Sequence, residues 1–211
     1  MTDELERRLG EPGVPPLDLG ALRARLAGRA TDAGLLDVAY GILDSPLGPL
    51  AVMVTPRGLV RLSYGDEAIE AQLDELAERV SPRILEAPAR TDAVRRQLDE
   101  YFEGDRRSFD LPIDWSLVRG FAGDVLRATA RIPFGSVSSY RDIATAAGSP
   151  NAYRAAGNAL GSNPIPIVVP CHRVLHSGGG LGGYTGGLDR KRRLLHLEGV
   201  LDATDRATGG V

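Results

Sequence analysis

The hydrophobic positions between residues 35 and 64 fall into three short runs, at 36–43, 49–54 and 58–64, rich in Val, Leu and Tyr. The runs are separated by two segments that contain proline and glycine, Ser45-Pro46-Leu47-Gly48 and Pro56-Arg57-Gly58. Such segments favour tight turns, and short apolar runs between them are typical of strands. The pattern therefore predicts an antiparallel β-meander.

From residue 66 the hydrophobic spacing changes to the period of a helix. One apolar stripe predicts a helix over 66–80 and consists of Ile69, Leu73, Leu76 and Val80. A strand near 84–85 and a second helix over 91–102 follow, and Gly104 is placed to end that helix. Strands and helices thus alternate, which predicts an α/β domain.

Three further helices are predicted, one in the middle of the chain and one near each end. A helix over 117–132 has as its inward-facing residues Val118, Phe121, Val125 and Leu126. Another runs from about Asp189 to Glu198. Near the N-terminus Leu19, Leu22 and Leu26 have helical spacing and predict a short helix on a partly mobile extension, to which we assign no function.

Two short helices are predicted between residues 138 and 161. Ser138 or Ser139 caps the first, which runs through Ala147 and ends at Gly148. Ser149-Pro150 caps and starts the second, which runs through about residue 160. Two short helices joined by a tight glycine-containing turn predict a helix-turn-helix.

The second of these helices has an unusual composition. Recognition helices that read base edges in the major groove carry Arg, Lys, Asn or Gln, whereas residues 151–161 are mostly Ala and Gly with Arg154 as the single cation. A helix with such small side chains approaches a backbone closely, and an isolated arginine suits insertion where a base has been removed. The alternative is a small-residue helix packed in the core with Arg154 at its edge.

Composition and charge narrow the class of protein. A content of 43% hydrophobic and 25% charged residues indicates a globular chain and excludes a disordered one. No run of about 18 apolar residues occurs, the first residues lack the apolar centre of a signal peptide, and a lone cysteine cannot form an internal disulfide. We therefore expect a cytoplasmic protein.

The charge is unevenly distributed along the chain. Residues 1–116 hold 14 Arg against 22 acidic residues, a net of −8, whereas residues 117–211 hold 11 basic against 6 acidic residues, a net of +5. If this asymmetry is not incidental, the C-terminal half is the part that faces phosphates.

The only cysteine lies in residues 163–174, which contain three prolines within seven positions. Because each proline lacks an N–H and restricts φ, we predict an extended, stiff segment that presents Cys171, followed by His172 and Arg173, on a rigid support. A lone cysteine is most often a small buried hydrophobic residue. The adjacent imidazole favours a nucleophile instead, because a thiol reacts as its thiolate.

These motifs resemble those of the O6-alkylguanine-DNA alkyltransferases, the methylated-DNA–protein-cysteine methyltransferases. The resemblance rests on Pro170-Cys171-His172-Arg173-Val174, preceded by Asn163-Pro164 and followed by a glycine-rich run into Tyr184-Thr185-Gly186-Gly187-Leu188. It covers roughly residues 117–200 as ordered motifs, which makes it far more specific than a Cys-His pair. It implies an α/β two-domain fold, with an N-terminal RNase H-like α/β domain and a C-terminal, mostly helical, winged helix-turn-helix-like domain.

The resemblance also implies an activity: irreversible transfer of the alkyl group from O6-alkylguanine in DNA to Cys171, one turnover per molecule. The base is flipped out from the minor groove, Arg154 fills the gap that it leaves, and Tyr140 lies near the guanine pocket and crowds the 3′ phosphate. The expected domains are an extension at 1–34, a structural domain at 35–112, a catalytic and DNA-binding domain at 113–202, and a tail at 203–211. The expected partner is double-stranded DNA that contains the lesion, with no membrane partner, no cofactor, no metal and a monomeric protein.

Deprotonation of the thiol needs a base and a group that orients it. In an extended segment His172 points away from Cys171, so either the chain turns there or a water molecule relays the proton, and the family is described with the water. Glu198 is the predicted partner of the imidazole, because it shares a helical stripe with Leu194 and Leu195 and a buried carboxylate needs a partner. The alternative is a surface glutamate at the end of the helix, beside Gly199.

Other residues are expected to form the guanine pocket. Seven of the ten residues at 178–187 are glycine, which permits a close approach to a ligand. Carbonyls near Cys171 and Val174 would accept from the guanine, and Thr185 and Tyr140 would donate to O6. The walls would be Tyr184, Leu160 and Pro166, and Asn163 would tie the helix-turn-helix to the reactive loop. Arg173 is expected to be structural or phosphate-facing, whereas His176 and His196 receive no role.

Three other functions are compatible with parts of the sequence. A sensor that binds damaged bases without repairing them would be similar in fold but would lack the cysteine. A transcription regulator needs more base-reading side chains than residues 151–161 carry. A hydrolytic Cys-His enzyme needs an oxyanion hole and repeated turnover.

Overall fold

The structure is a computed structural model, and it describes residues 18–65 and 67–201. The predicted tail at 203–211, and residues 1–17 of the predicted extension, lie outside the described residues. In chain order the elements are α1 (Leu19–Asp32), β1 (Val38–Leu43), β2 (Leu50–Thr55), β3 (Gly58–Tyr64), α2 (Ile69–Arg79), β4 (Ile84–Glu86), α3 (Pro88–Glu103), a 3-10 turn (Trp115–Leu117), α4 (Gly120–Thr129), β5 (Ser138–Ser139), α5 (Tyr140–Ala146), α6 (Tyr153–Gly161), a second 3-10 turn (Cys171–Arg173), β6 (Val174–Leu175) and α7 (Leu188–Leu197).

The N-terminal half is a mixed sheet with a helix on each face. Its strand order is β3-β2-β1-β4: the first three strands form the predicted antiparallel meander, and β4 pairs in parallel with β1. All six residues of the central strand β2 are buried, because Leu76 of α2 packs on the Met53 face and Leu98 of α3 packs on the Val52 face. This coverage on both sides explains the continuous apolar sequence of β2.

The helix α3 begins at Pro88, three residues before the predicted start. Proline suits the first turn of a helix because the N–H that it lacks would have no helical partner there. The helix ends as predicted at Gly104, which has a φ of 88° in the left-handed region that favours glycine.

The helix α4 is shorter than the predicted 117–132. Asp114 caps the preceding 3-10 turn by accepting a hydrogen bond from the Ser116 N–H at 3.0 Å, and Val118 is extended, with φ −126° and ψ 139°. The helix therefore starts only at Gly120, and Val118 lies outside it. Val125 and Leu126 are fully buried, as the apolar spacing predicted.

The two short helices α5 and α6 are present, but one predicted boundary is wrong. Ser139 caps α5 in a reciprocal capping box with Asp142, and Gly148 follows the helix with a φ of 80°. Ser149 and Pro150 do not start α6. The chain makes a turn there, closed by a 2.9 Å hydrogen bond from the Ala152 N–H to the Ser149 carbonyl, and the helix begins at Tyr153.

The segment that carries the cysteine is folded into turns, so the prediction of an extended, rod-like segment is wrong. The Val169 N–H donates to the Ile165 carbonyl at 2.9 Å, and Ile167 between them has a φ of 72°. Cys171–Arg173 is a 3-10 turn. Proline excludes regular ladders but is compatible with turns. The turn does not join the imidazole to the sulfur, because the Cys171 Sγ accepts from Asn163 and the His172 Nδ1 has no partner among the described residues. Relay of the proton by a water molecule therefore stays a prediction.

The N-terminal sheet supports this segment directly. The backbone N–H of Leu62 in β3 donates to the Pro164 carbonyl at 2.9 Å. The same strand also holds the connection between the two halves, since the Leu59 N–H donates to the Pro112 carbonyl at 2.8 Å. One hydrophobic cluster joins residues of both halves, among them Val52, Leu98, Leu160 and Val169. Within the described residues, no helix combines the length and hydropathy needed to span a bilayer.

Candidate active site

An open cavity of about 620 Å³ lies where α5, α6, the cysteine turn and the glycine-rich loop meet. Six of the residues predicted for the site line it: Tyr140, Arg154, Leu160, Cys171, Tyr184 and Thr185. The thiol is therefore not sealed in the core, although its residue is only 6% exposed. Its position on the wall of an open cavity allows a ligand to reach the sulfur.

Asn163 connects the folded turns to the sulfur. Its Nδ2 donates to the Val169 carbonyl at 2.8 Å and to the Cys171 Sγ at 3.1 Å, while its Oδ1 accepts from the Ile165 N–H at 3.0 Å. This amide satisfies buried backbone groups of the turns and holds the thiol in one orientation.

The resting thiol of Cys171 is protonated at neutral pH. Burial raises its pKa to about 11, although the hydrogen bond from Asn163 and the charge of Lys191 act in the opposite direction. Since a thiol reacts through its thiolate, the site needs a group that removes the proton when a substrate is bound.

This pKa predicts how Cys171 reacts with a small reagent. The rate of alkylation by iodoacetamide should rise about tenfold per pH unit between about pH 7 and 10, because the thiolate fraction does so below the pKa. The measurement is the labelled mass against time at each pH, and the single cysteine makes the label unambiguous. The same chain unfolded in urea should level off above about pH 8.5. A plateau near pH 7 in the folded chain would contradict the raised pKa.

His172 and Glu198 form a buried pair behind the thiol. The His172 Nε2 lies 2.9 Å from Glu198 Oε1, and both side chains are completely buried. Within the described residues, the Nδ1 of His172 has no hydrogen-bond partner. Burial lowers the pKa of His172, although Glu198 acts in the opposite direction. A neutral ring that donates from Nε2 to the carboxylate keeps Nδ1 as a proton acceptor.

Glu198 is held ionised by three side chains. Arg173 donates from Nε to Oε2 at 2.9 Å and from Nη2 to Oε1 at 2.8 Å, and the Tyr101 hydroxyl donates to Oε1 at 2.7 Å. Burial alone would raise the pKa of Glu198, but the hydrogen bonds from His172, Arg173 and Tyr101 outweigh it and lower the pKa to about 2. Arg173 is thus structural, one of the two roles that we expected.

One expectation about the walls of the pocket is wrong, and the other groups named there make contacts within the protein. Pro166 is buried and lines a neighbouring cavity of about 410 Å³ instead of the cavity of Cys171. The Val174 carbonyl accepts a hydrogen bond from Lys191 at 2.8 Å, and the Cys171 carbonyl accepts from the Val174 N–H. Because a carbonyl oxygen has two lone pairs, their role as acceptors for the guanine stays a prediction. The Thr185 hydroxyl donates to the Gly161 carbonyl at 2.5 Å. These groups stabilise the walls of the site.

Lys191 is a residue of the site that the sequence analysis missed. Its completely buried Nζ donates to the carbonyls of Val174, Leu181 and Gly183, and so fastens the glycine-rich loop to the end of the cysteine turn. Burial lowers its pKa to about 8. Lys191 stands in a basic run that suggests an exposed face, but it lies three and four residues before the buried Leu194 and Leu195, and that spacing was the available signal.

Two of the glycines in residues 178–187 are required by close contacts within the protein. A Cβ at Gly182, whose φ is 66°, would lie 2.5 Å from the Tyr140 hydroxyl, and one at Gly186 would overlap the ring of Tyr64. Tyr64 in turn shares a 2.7 Å hydrogen bond with Tyr184. At these two positions the loop therefore fits tightly against the rings of Tyr140 and Tyr64.

His176 and His196 have different environments. His176, which received no role from the sequence, lines the cavity with its ring centroid 5.2 Å from that of Tyr140. His196 makes a local 2.8 Å hydrogen bond between Nδ1 and the Leu201 carbonyl. Within the described residues, no group of three or more His, Cys, Asp and Glu side chains is placed to hold a metal ion.

Comparison with known protein families gives two matches that together cover most of the chain. Residues 38–115 match the "6-O-methylguanine DNA methyltransferase, ribonuclease-like domain", and residues 120–200 match the "6-O-methylguanine DNA methyltransferase, DNA binding domain". The first match contains the mixed sheet, and the second contains every lining residue of the cavity.

Individual relatives agree with these matches. The chain is 43% identical over 163 residues to a methylated-DNA–protein-cysteine methyltransferase of Mycolicibacterium paratuberculosis, covering 76% of this chain and 92% of the relative. It is 39% identical over 161 residues to a protein of the same name from Methanosarcina barkeri, covering 75% and 96%. A crystal structure described as Mycobacterium tuberculosis OGT in complex with DNA is similar in fold, with a TM-score of 0.65, 38% identity and coverage of 76% and 92%.

Proposed function

Because the chain belongs to the 6-O-methylguanine DNA methyltransferase family, we propose that it repairs O6-alkylguanine in DNA by transferring the alkyl group irreversibly to its own cysteine. It is a methylated-DNA–protein-cysteine methyltransferase that acts once per molecule. The observation that carries this function is the position of the only thiol of the chain on the wall of an open cavity. The same cavity is lined by Arg154 of helix α6, whose side chains are mostly small.

The proposed reaction is a displacement at the alkyl carbon. The thiol proton of Cys171 passes to the protein, the sulfur forms a bond to the carbon, and the bond from that carbon to O6 breaks with its electron pair moving to the guanine. The guanine takes up one proton and remains in the DNA as a neutral, repaired base. Atoms and charge balance with no cofactor, and the product is a thioether that no group in the site removes.

His172 is the proposed proton acceptor. Its Nδ1 is available, its Nε2 is held by Glu198, and the lowered pKa keeps the ring neutral at pH 7. When the ring accepts a proton, the carboxylate beside it stabilises the imidazolium. Because the thiol has a pKa of about 11, this transfer is expected only with the substrate in place.

The remaining side chains of the cavity would bind and release the base. Tyr140 stands at its wall with its phenolic proton intact, since burial raises its pKa, and it is the proposed donor to the departing guanine. Tyr184 and Leu160 would enclose the ring. Thr185 acts here through the backbone that it holds.

The proposed DNA surface is the pair α5 and α6, acting as a helix-turn-helix within a winged C-terminal domain and docking in the minor groove. The small side chains of α6 allow close approach, and Arg154 enters the duplex where the damaged base has swung out. The partner is double-stranded DNA that contains O6-alkylguanine.

We extend the proposal to organisation and location. Residues 35–112 form a structural domain, and residues 113–202 form the catalytic and DNA-binding domain, since every residue that lines the cavity belongs to the second range. One chain supplies all the groups of the proposed reaction, which suits a monomer. A single unpaired thiol suits the reducing cytoplasm.

Intact-mass measurement tests this function. After incubation with a duplex oligonucleotide that contains O6-methylguanine, the protein should gain about 14 Da, one methyl in place of the thiol proton, on Cys171. Repaired guanine should equal the protein consumed and then stop increasing. Repair that continues beyond one equivalent would contradict the single-use mechanism.

Replacing the proposed inserting residue should separate binding of duplex DNA from chemistry. Arg154→Ala should slow repair of duplex O6-methylguanine by about tenfold to a hundredfold, because base flipping costs a few kcal/mol and about 1.4 kcal/mol is a factor of ten. Its reaction with free O6-benzylguanine should be unchanged. The control is Arg96→Ala, which removes an exposed cation from α3. Equal losses of Arg154→Ala on both substrates would exclude the insertion role.

A further inference from the structure

Tyr153 is the one aromatic residue of helix α6, whose other side chains are mostly small. It is the first residue of that helix, it is 39% exposed, and it lines the rim of the Cys171 cavity. The residues that follow Arg154 on the helix are mainly Ala and Gly. A large aromatic side chain hinders the close approach that those small residues allow, which indicates that the ring has a use of its own.

The ring of Tyr153 lies beside two guanidinium groups. The Cζ of Arg154 is 5.8 Å from the ring centroid, and the Cζ of Arg141 on α5 is 5.7 Å from it. Both distances are within the range of a cation–π interaction. Within the described residues, neither guanidinium has a carboxylate or hydrogen-bond partner, so the aromatic ring is the contact that restrains each of them.

We propose that Tyr153 is a positioning residue, which holds the guanidinium of Arg154 at the rim of the cavity and so prepares it to enter the duplex. The inference rests on the proposed function, because it concerns how Arg154 performs the insertion assigned to it. Arg141 shares the ring and ties α5 to the same cluster, which concentrates positive charge where the phosphates approach.

The physical reason is preorganisation. A free arginine side chain samples many rotamers, and the entropy lost when it is fixed in the duplex weakens binding. Tyrosine has only two side-chain torsions, so a ring anchored on the first turn of a helix restrains its neighbour at low entropic cost. The attraction depends on the π face of the ring, and a side chain of similar bulk without that face does not replace it.

The test compares three substitutions at one position by their rates of methyl transfer from duplex O6-methylguanine. Tyr153→Phe keeps the π face and should retain the wild-type rate. Tyr153→Leu keeps apolar bulk without the π face, and with Tyr153→Ala it should lose about threefold to fivefold. The reaction of all three with free O6-benzylguanine should equal that of the wild type, which also shows that each variant is folded.

A double variant shows whether Tyr153 acts through Arg154. In an Arg154→Ala background, Tyr153→Leu should cause a clearly smaller loss on duplex DNA than it does in the wild type, because only Arg141 then remains beside the ring. A further loss of the same size would overturn the proposal, because the ring would then contact DNA independently. A normal rate for Tyr153→Leu, a slow rate for Tyr153→Phe, or a loss on the free base would overturn it as well. A wild-type protein that transfers no methyl from either substrate would instead refute the proposed function.

Discussion

Cys171→Ser should show no methyl transfer from either duplex O6-methylguanine or free O6-benzylguanine. A serine hydroxyl is a far weaker nucleophile than a thiolate at neutral pH. No other thiol can take over, because the chain has only one cysteine. The loss should therefore reach the detection limit of the assay. The measurement is the intact mass of the protein after prolonged incubation with excess substrate.

The control for this variant is DNA binding. Cys171→Ser should bind the lesion-containing duplex as tightly as the wild type, because Arg154 and α6 are unchanged. Retained binding without transfer separates repair from recognition, and it describes what a lesion sensor with this fold would do. A mass increase of about 14 Da on Cys171→Ser would show that another residue receives the methyl group, and the assignment of the nucleophile would then be wrong.

Glu198→Gln should lower the free energy of unfolding by about 3–5 kcal/mol, the usual cost of removing one partner of a buried ion pair. The guanidinium of Arg173 would remain buried beside the Ile132 carbonyl at 2.5 Å, with one neutral amide oxygen in place of the two carboxylate oxygens that it now contacts. His172 would lose the carboxylate that orients its ring, so methyl transfer should slow as well. Urea unfolding at pH 7 measures the first effect.

A control and a pH series support the interpretation of Glu198→Gln. Asp99→Asn breaks an exposed ion pair with Arg95 at 3.7 Å and should change stability by less than about 1 kcal/mol. Because the folded-state pKa of Glu198 is lowered to about 2 from 4.5, its stabilisation is present above the higher value and is lost as the pH falls towards the lower one. Glu198→Gln should lack that part of the acid dependence. An unchanged acid dependence would contradict a buried, ionised Glu198.

The local elements were largely predictable from the chain. The meander, the helix that ends at Gly104 and the capped helix after Ser139 follow from turn residues and periodicity, which act within a few residues. The predictions failed where tertiary contacts outweighed local preference. The 3-10 turn capped by Asp114 shortened α4, and the turn after Gly148 delayed the start of α6.

The candidate site was predictable in its chemistry and less so in its geometry. Residue types and spacing predicted that Cys171, His172 and Glu198 act together, and the hydrogen bond between His172 and Glu198 joins residues 26 positions apart. Spacing did not reveal that Lys191 is buried among carbonyls or that His176 faces the cavity. Those facts depend on which loop lies over which helix.

By itself, the sequence determined which atoms are available for chemistry: one thiol, a neighbouring imidazole, and a helix too small in its side chains to read bases. Only the tertiary structure decided that the prolines bend the chain into turns held by Asn163, that Lys191 donates to the Val174 carbonyl, and that two guanidinium groups lie beside the ring of Tyr153. The physical reason is that residue type and local spacing act through the covalent chain, whereas burial, charge and hydrogen-bond partners come from segments that meet only after folding.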